Sequence, residues 1–447
     1  MIFVGLFFYF TSLIFIGVYL SRKNINFDDY FYAGRKLGGL LIFFTVTASW
    51  FGAASTIATL EDALKHGFRS IWILGIPTIT TIFVFICLNK KIRETKFVSL
   101  PVLFKKTYGR TVALLASFLI FFYMVLLAAS QFVAWGQFVA PILGTSQQIA
   151  ILGGAFIVIL YSYIGGYRSV VLTDGIQFFL LIAAIICLLI FFFRIPAPFS
   201  SYDFHIFTDL HKHVLMTVSF TLAWVISPIV WQRIASAKSQ KASRRGLFLS
   251  IIAIILLYSS VIFIAISIRS LPNPSLGHLI NHALPQTAGI LVFIGIAAAI
   301  MSTSDTAINL GALTLVKDIL PGSISPQMIH YSQISTFITG GLAALVALRF
   351  DSIIKTLGLA SEIMAEGLFI PGMVALFYKI RKPLAGLLSI LAGGGFAMLV
   401  FLNAYGLSLP LPEWPDSLPY GLLLSLTGFI IGFLLDKSIS AKKKKVQ

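Results

Sequence analysis

The chain has 447 residues, 58% of them apolar and only 11% charged, and its 33 Lys and Arg against 16 Asp and Glu give a formal charge of +17. A soluble chain is about half apolar and about a quarter charged, so a soluble enzyme, a secreted disulfide scaffold and a disordered tail are excluded; a mean hydropathy of +0.95 points the same way. The two cysteines, Cys87 and Cys187, lie inside apolar runs and read as packing residues, not as a disulfide framework or a zinc site.

Windows of about 20 residues with few charges mark membrane helices. In chain order they fall near 3–20, 39–60, 69–88, 111–139, 147–164, 174–193, 213–231, 247–268, 286–311, 331–348, 353–378, 383–402 and 419–435. The first run lacks the charged start and the small-residue cleavage site of a secretory signal, so it reads as a retained helix. Thirteen spans put the termini on opposite sides. With Arg233 counted as the first charge of an internal loop, 26 of the 33 basic residues fall on the side of the C-terminus. Positive charge collects on the cytoplasmic side, which predicts the N-terminus outside and the C-terminus inside, in what is expected to be a prokaryotic cytoplasmic membrane. The charge is then a topology signal, and nucleic-acid binding has no separate support. The stretches Arg194–Lys212, Trp231–Gly246 and Leu271–Pro285 are too short to fold alone. The closing run Lys442–Lys445 reads as a solvated tail beside lipid headgroups.

Three spans carry helix-breaking or small residues: T-A-S-W-F-G-A-A-S-T in the second, I-S-P-I-V-W in the seventh and E-G-L-F-I-P-G in the eleventh. Unwound backbone at membrane depth is tolerated only where protein or a water-filled cavity satisfies it. Interruptions at corresponding places of two halves point to a transporter site; ordinary kinks or small-residue packing are the competing account.

The ninth span reads G-I-A-A-A-I-M-S-T-S-D-T-A-I-N. Ala299, Ser302 and Thr303 share one face of the helix, so two hydroxyls and a carbonyl offer oxygens to a hard cation, unless the hydroxyls bond their own helix. Glu362 and Glu366 stand one turn apart in the eleventh span. Carboxylates inside a span are costly, so one of them, Glu366, is expected to face the central cavity and meet a substrate ammonium; a structural hydrogen bond of a neutral Glu is the alternative. His278 with His282 and His211 with His213 lie in external loops without a Cys or carboxylate cluster, so no metal other than Na⁺ is expected. No phosphate-binding loop or catalytic triad is present. The protein is therefore expected to be no enzyme, with an ion gradient as its energy source and no organic cofactor.

Four segments carry a resemblance: D-Y-F-Y-A-G-R-K-L-G-G from Asp29, G-G-Y-R-S-V-V-L-T-D-G-I-Q from Gly165, W-Q-R-I-A-S-A-K-S-Q-K-A-S-R-R-G from Trp231, and A-I-M-S-T-S-D in the ninth span. Together, and in this order, they resemble the sodium:solute symporter family, which includes sodium/proline, sodium/glucose, sodium/pantothenate and choline transporters. The resemblance implies an all-α membrane protein with a LeuT-type core of two inverted five-helix repeats, one extra helix before it and two after. The division would be 1–38, a first repeat 39–193, an external loop 194–212, a second repeat 213–378, and two helices with a basic tail in 379–447. It implies Na⁺ held by carbonyls of Ala48, Phe51 and Ala299 and by the hydroxyls of Ser302 and Thr303. Asp174 matches a family aspartate near the cytoplasmic sodium exit, with capping of its helix as the alternative. Asp305 either tunes the site, forms a second cation site or makes a buried pair.

The sequence departs from its relatives in the second span, where Trp50 replaces the aspartate of sodium/proline symporters. The choline branch has a tryptophan there within an aromatic cage, but Ser227 stands at another cage position, so a lone Trp50 can equally be packing. Ala53, Ser55, Trp50, Ser227, Glu362 and Glu366 are the substrate-binding candidates, and Trp50 with Glu366 leans towards an amino- or ammonium-bearing solute. The expected function is import of a small organic solute with Na⁺ by alternating access, in the lipid bilayer and without an obligate protein partner. Proton coupling through Glu366, a membrane sensor and a passive channel are the alternatives.

Overall fold

The computed structural model describes residues 2–21, 32–95, 99–193, 198–320, 328–350, 352–378 and 381–446. Among them the chain is helical and has no strand; an isolated parallel bridge joins Leu37 to Ala237. Long apolar segments become helices because a helix satisfies its own backbone where no water can. Among the described residues nine helices are long and apolar enough to cross a membrane, ten with the bent pair Leu210–Ile226 and Pro228–Ser236 taken as one span. Ile2–Ser21 and Gly39–Trp50 are shorter or interrupted apolar helices beside them.

The second expected span is broken as its small residues suggest. Gly39–Trp50 ends at Phe51, whose φ of −101° and ψ of 60° leave the helix, and the chain resumes through a wide turn Ala54–Ala58 into Thr59–His66. Hydroxyls take up the freed carbonyls: Ser55 donates to Trp50 O and Thr56 to Gly52 O, both at 3.0 Å. The seventh expected span breaks at Ser227, whose ψ of 137° is extended, and Pro228 opens the next helix, a position where its missing N–H costs nothing. The two segments meet at 45°. Backbone bonds from Leu37 N to Ser236 O at 3.0 Å and from Lys238 N to Leu37 O at 2.9 Å tie the start of the first broken helix to the end of the second.

Three expectations are corrected. The eleventh span is not unwound: Ile353–Met364 continues through a wide turn Ala365–Phe369 into Ile370–Phe377, and the turn absorbs Pro371. The third span begins at Gly75 and runs to Glu94, because Gly67–Trp72 forms a tight turn first. Gly67 has φ +60°, and Asp203 fills the place a Cβ would take. The fifth and sixth spans, Gln147–Tyr167 and Ser169–Phe192, are separate as expected but lie closer together, joined across a kink at Gly166 with φ 61°.

Helix Gln286–Thr314 is buried along most of its length and packs against Gln147–Phe192 and Arg110–Leu143. The last helix, Leu418–Val446, docks on Pro383–Ser389 through glycines: a Cβ on Gly428 would stand 2.5 Å from Leu388 O, and one on Gly432 2.3 Å from Leu384 O. Small residues let membrane helices approach in this way, since burial of apolar surface does not drive their association in lipid.

Candidate functional site

The polar centre of the molecule is a carboxylate held by side chains of three other helices. Asp174 lies past the Gly166 bend and is fully buried. It stands within its helix, not at the start where it would act as a cap, and its side chain is directed across the bundle. Thr45 donates to Asp174 Oδ2 at 2.5 Å, Ser302 to Oδ1 at 2.7 Å and Ser49 to Oδ2 at 3.3 Å. Arg233 Nη2 lies 3.7 Å from Oδ2.

Arg233 is the residue that sequence reasoning missed. Counted as a loop charge, it is fully buried, and its Nη2 donates to Ser49 Oγ at 2.6 Å and to Thr306 Oγ1 at 2.8 Å. Its Nη1 donates to Ile229 O at 3.2 Å, and the guanidinium stands 5.7 Å from the centre of the Tyr167 ring. A buried arginine needs a partner charge and hydrogen bonds to offset its desolvation, and this network supplies both. The signal was available: an arginine five residues after the Pro228 break, in a chain whose Asp174 lacked a named counter-ion.

Beside the pair, the two hydroxyls of the ninth span part company. Ser302 turns to Asp174, whereas Thr303 Oγ1 donates to Ser49 O at 3.2 Å, with Ala299 O at 3.5 Å. The helix Gln286–Thr314 thus crosses the first broken helix at its break. A Cβ on Gly52 would lie 2.2 Å from Thr303 Oγ1 and 2.8 Å from Gln131 Oε1, so this crossing requires glycine. Gln131 satisfies an amide freed by the break, accepting from Ala53 N at 3.0 Å. Ala48, Phe51 and Ala299 are all buried at this crossing level of the two helices.

A cavity of about 40 Å³ adjoins the break, lined by Trp50, Ser55, Tyr123, Gln131, Trp224 and Thr303 among others. That is room for a few waters, far below the roughly 300–1,000 Å³ of a site that encloses a small molecule. Trp50 is not alone: its ring centre is 5.8 Å from that of Trp224. Ser55 Oγ accepts from Tyr258 OH at 2.7 Å. Ser227 is buried at the second break, and its hydroxyl has no hydrogen-bond partner among the described residues.

The remaining carboxylates lie elsewhere. Asp305 is buried and accepts from Tyr161 OH at 2.9 Å, the pairing reading. Glu362 accepts from Ser417 at 2.7 Å. Glu366 does not face the cavity: a Cβ on Gly421 of the last helix would stand 1.7 Å from its Oε2. Leu357, which lines the cavity, is about 140° round the helix from Glu362 at 3.6 residues per turn, so the glutamate face looks away from the break.

A profile of the sodium:solute symporter family matches residues 30–393. The sodium/pantothenate symporter of Escherichia coli (strain K12) is 26% identical over 93% of either chain. High-affinity choline transporter 1 of Caenorhabditis elegans is 22% identical over 93% of this chain and 81% of that one. A solved structure of a Na⁺-coupled sialic acid symporter, substrate-bound and outward-open, superposes with a TM-score of 0.80 at 19% identity, covering 97% of both chains, and the two share the LeuT-like fold. Because the profile runs through both broken helices and the whole Asp174 network, the chain belongs to the sodium:solute symporter family and is a Na⁺-coupled membrane transporter, not an enzyme.

Proposed function

We propose that the protein imports a small organic solute together with Na⁺ by alternating access, with Na⁺ at the crossing of the first broken helix and helix Gln286–Thr314. The observation that carries this is the Thr303 hydroxyl, which already bridges Ser49 O and Ala299 O across that crossing. The carbonyls of Ala48, Phe51 and Ala299 and the hydroxyls of Ser302 and Thr303 are hard oxygen donors, the chemistry that Na⁺ takes at an unwound helix. On binding, Ser302 would turn its oxygen from Asp174 to the ion and Thr303 would present a lone pair in place of its donated proton. The ion would then hold the two helices together in one state and its release would let them part.

The solute would occupy an enlarged form of the cavity beside Trp50, with Ala53, Ser55 and Ser227 at its edges and the Trp50 and Trp224 rings moving apart to admit it. Two neighbouring indoles, tilted at 35° to each other, suit an amino- or ammonium-bearing solute, since a cation over a ring gains about 0.5–2 kcal/mol. The thirteen-span count, the repeats 39–193 and 213–378, and the N-terminus outside with the C-terminus in the cytoplasm belong to this same reading.

The test is thermal unfolding of purified protein across a Na⁺ titration, with K⁺ keeping ionic strength constant. A ligand that binds the native state alone raises stability by RT ln(1 + [L]/Kd), so the wild type should show a Na⁺-dependent rise that Ser302→Ala and Thr303→Ala lose. An unchanged Na⁺ response in both variants overturns the site. The same assay, run with candidate amines and amino acids, identifies the solute by a rise that requires Na⁺.

A further inference from the structure

A second cavity, of about 570 Å³, opens where the short helix Leu100–Tyr108 meets the first turns of Arg110–Leu143 and the end of the long buried helix at residues 317–320. Its walls carry Lys105, Lys106, Arg110 and Lys317 against one carboxylate, Asp318. One oxygen of that carboxylate, Oδ1, accepts from Ser99 Oγ at 2.6 Å. Lys105, Lys106 and Arg110 are exposed. Four cations around one concave space, against a single acid, leave a net positive charge that favours an anion. This cavity is apart from the Asp174 network, and the transport reading makes no use of it.

The surface next to the cations is apolar. Arg110, Leu114 and Phe118 follow at intervals of four and form one row along their helix. Leu114 lines the cavity and is 37% exposed, and Phe118, one turn on, is 54% exposed. Leu320 lines the cavity from the other side and is 47% exposed. Arg110 opens a helix apolar enough to cross the membrane, so this row runs from the charged boundary into the hydrocarbon. A ligand that matches has a negative head and a hydrocarbon tail. Basic pockets between membrane helices recognise such headgroups.

We propose that this cavity binds the phosphodiester headgroup of an anionic phospholipid, with an acyl chain along Leu114 and Phe118. A phosphate anion without the tail shares the headgroup chemistry, so the experiment separates the two. Purified protein in detergent is heated with phosphatidylglycerol, with phosphatidylcholine, and with inorganic phosphate. Phosphatidylglycerol should raise the melting temperature, phosphatidylcholine and inorganic phosphate should leave it near its starting value, and the rise should be lost in the pair Lys105→Glu with Arg110→Glu. The milder pair Lys105→Gln with Arg110→Gln, which reverses no charge, should reduce the rise, and Phe118→Ser should reduce it through the tail. Equal responses to the two lipids, an equal response to inorganic phosphate, or a full response in both double variants would overturn the proposal.

Discussion

Arg233 and Asp174, both fully buried, face each other at 3.7 Å between the two broken helices. The pair ties together elements far apart in the chain, because Ser49 bonds both members and Thr306 bonds the arginine. Breaking a buried pair by removing one member costs about 3–5 kcal/mol, since a charge is left without its partner. Arg233→Met should therefore unfold at markedly lower denaturant than wild type. Adding Asp174→Asn to it should restore much of the loss, because neither position then carries a charge without its partner. If the double variant were as unstable as the sum of the single ones, the pair would not be the reason for the loss.

Gly52 gives a sharper test of the crossing. A methyl group there meets Thr303 Oγ1 and Gln131 Oε1, so Gly52→Ala must push the first broken helix off Gln286–Thr314. Overpacking of this kind costs about 1–3 kcal/mol. The expected result is a lower melting temperature together with loss of the Na⁺-dependent rise. Gly341→Ala is the control: among the described residues no atom beyond its own stretch of helix lies within 4 Å of its Cβ, and alanine in a helix interior is favoured over glycine by about 0.5–1 kcal/mol. It should keep the Na⁺ response in full.

Much of this was legible in the sequence, and the reason is lipid. With no water to satisfy a backbone, long apolar runs fold as helices, and interruptions such as T-A-S-W-F-G and I-S-P-I-V-W stand out where they break. Side-chain direction was less legible. Glu362 and Glu366 share a face by spacing alone, but which neighbour that face meets depends on the rotation of the helix, and here the neighbour is the last helix with Gly421. Arg233 escaped because hydropathy windows assign a charge at the edge of a span to the loop that follows. Only packing shows that Asp174 and Ser49 draw it inward. The eleventh span kept its helix despite Pro371 because one wide turn absorbs the proline, an outcome that residue spacing does not reveal.

The glutamate face leads to a separate expectation. Neither Glu366 oxygen has a hydrogen-bond partner among the described residues, and the side chain is fully buried. A buried polar group without a partner costs about 1–3 kcal/mol in protein mutational data. Glu366→Met, unbranched and of similar length, should raise the melting temperature and leave the Na⁺-dependent shift as it is. Gly421→Ala should lower it, because its methyl group meets the Glu366 carboxyl, and Gly421→Ala should be better tolerated once Glu366→Ala has cleared the space. Residues in contact couple by about 0.5–3 kcal/mol in such double-mutant cycles. A Na⁺ response that fell with Glu366→Met would instead bring this residue back to the ion or solute.

The Thr59–His66 end of the first broken helix is fastened by Arg269, and here the pH dependence has a definite sign. Arg269 donates from Nε to Leu64 O and from Nη2 to Ala63 O, both at 2.8 Å, and from Nη1 to Asp203 Oδ1 at 2.5 Å. Burial pushes the Asp203 carboxyl up, but the Ser200 amide and hydroxyl and the Arg269 guanidinium outweigh it, so Asp203 is held below its ordinary value. A carboxyl depressed in the folded state contributes stability that is complete above its unfolded value, about 3.9, and is lost as pH falls through the folded one. The protection factors of the amides in the turn Ser201–Phe204 should thus hold from neutral pH down to about 4, by that reference value, and fall in more acid solution. Asp203→Asn should show low protection factors at neutral pH that change little with acid. Wild-type protection that faded already between about pH 7 and 5, well above that carboxyl range, would assign the fastening to a histidine and not to Asp203.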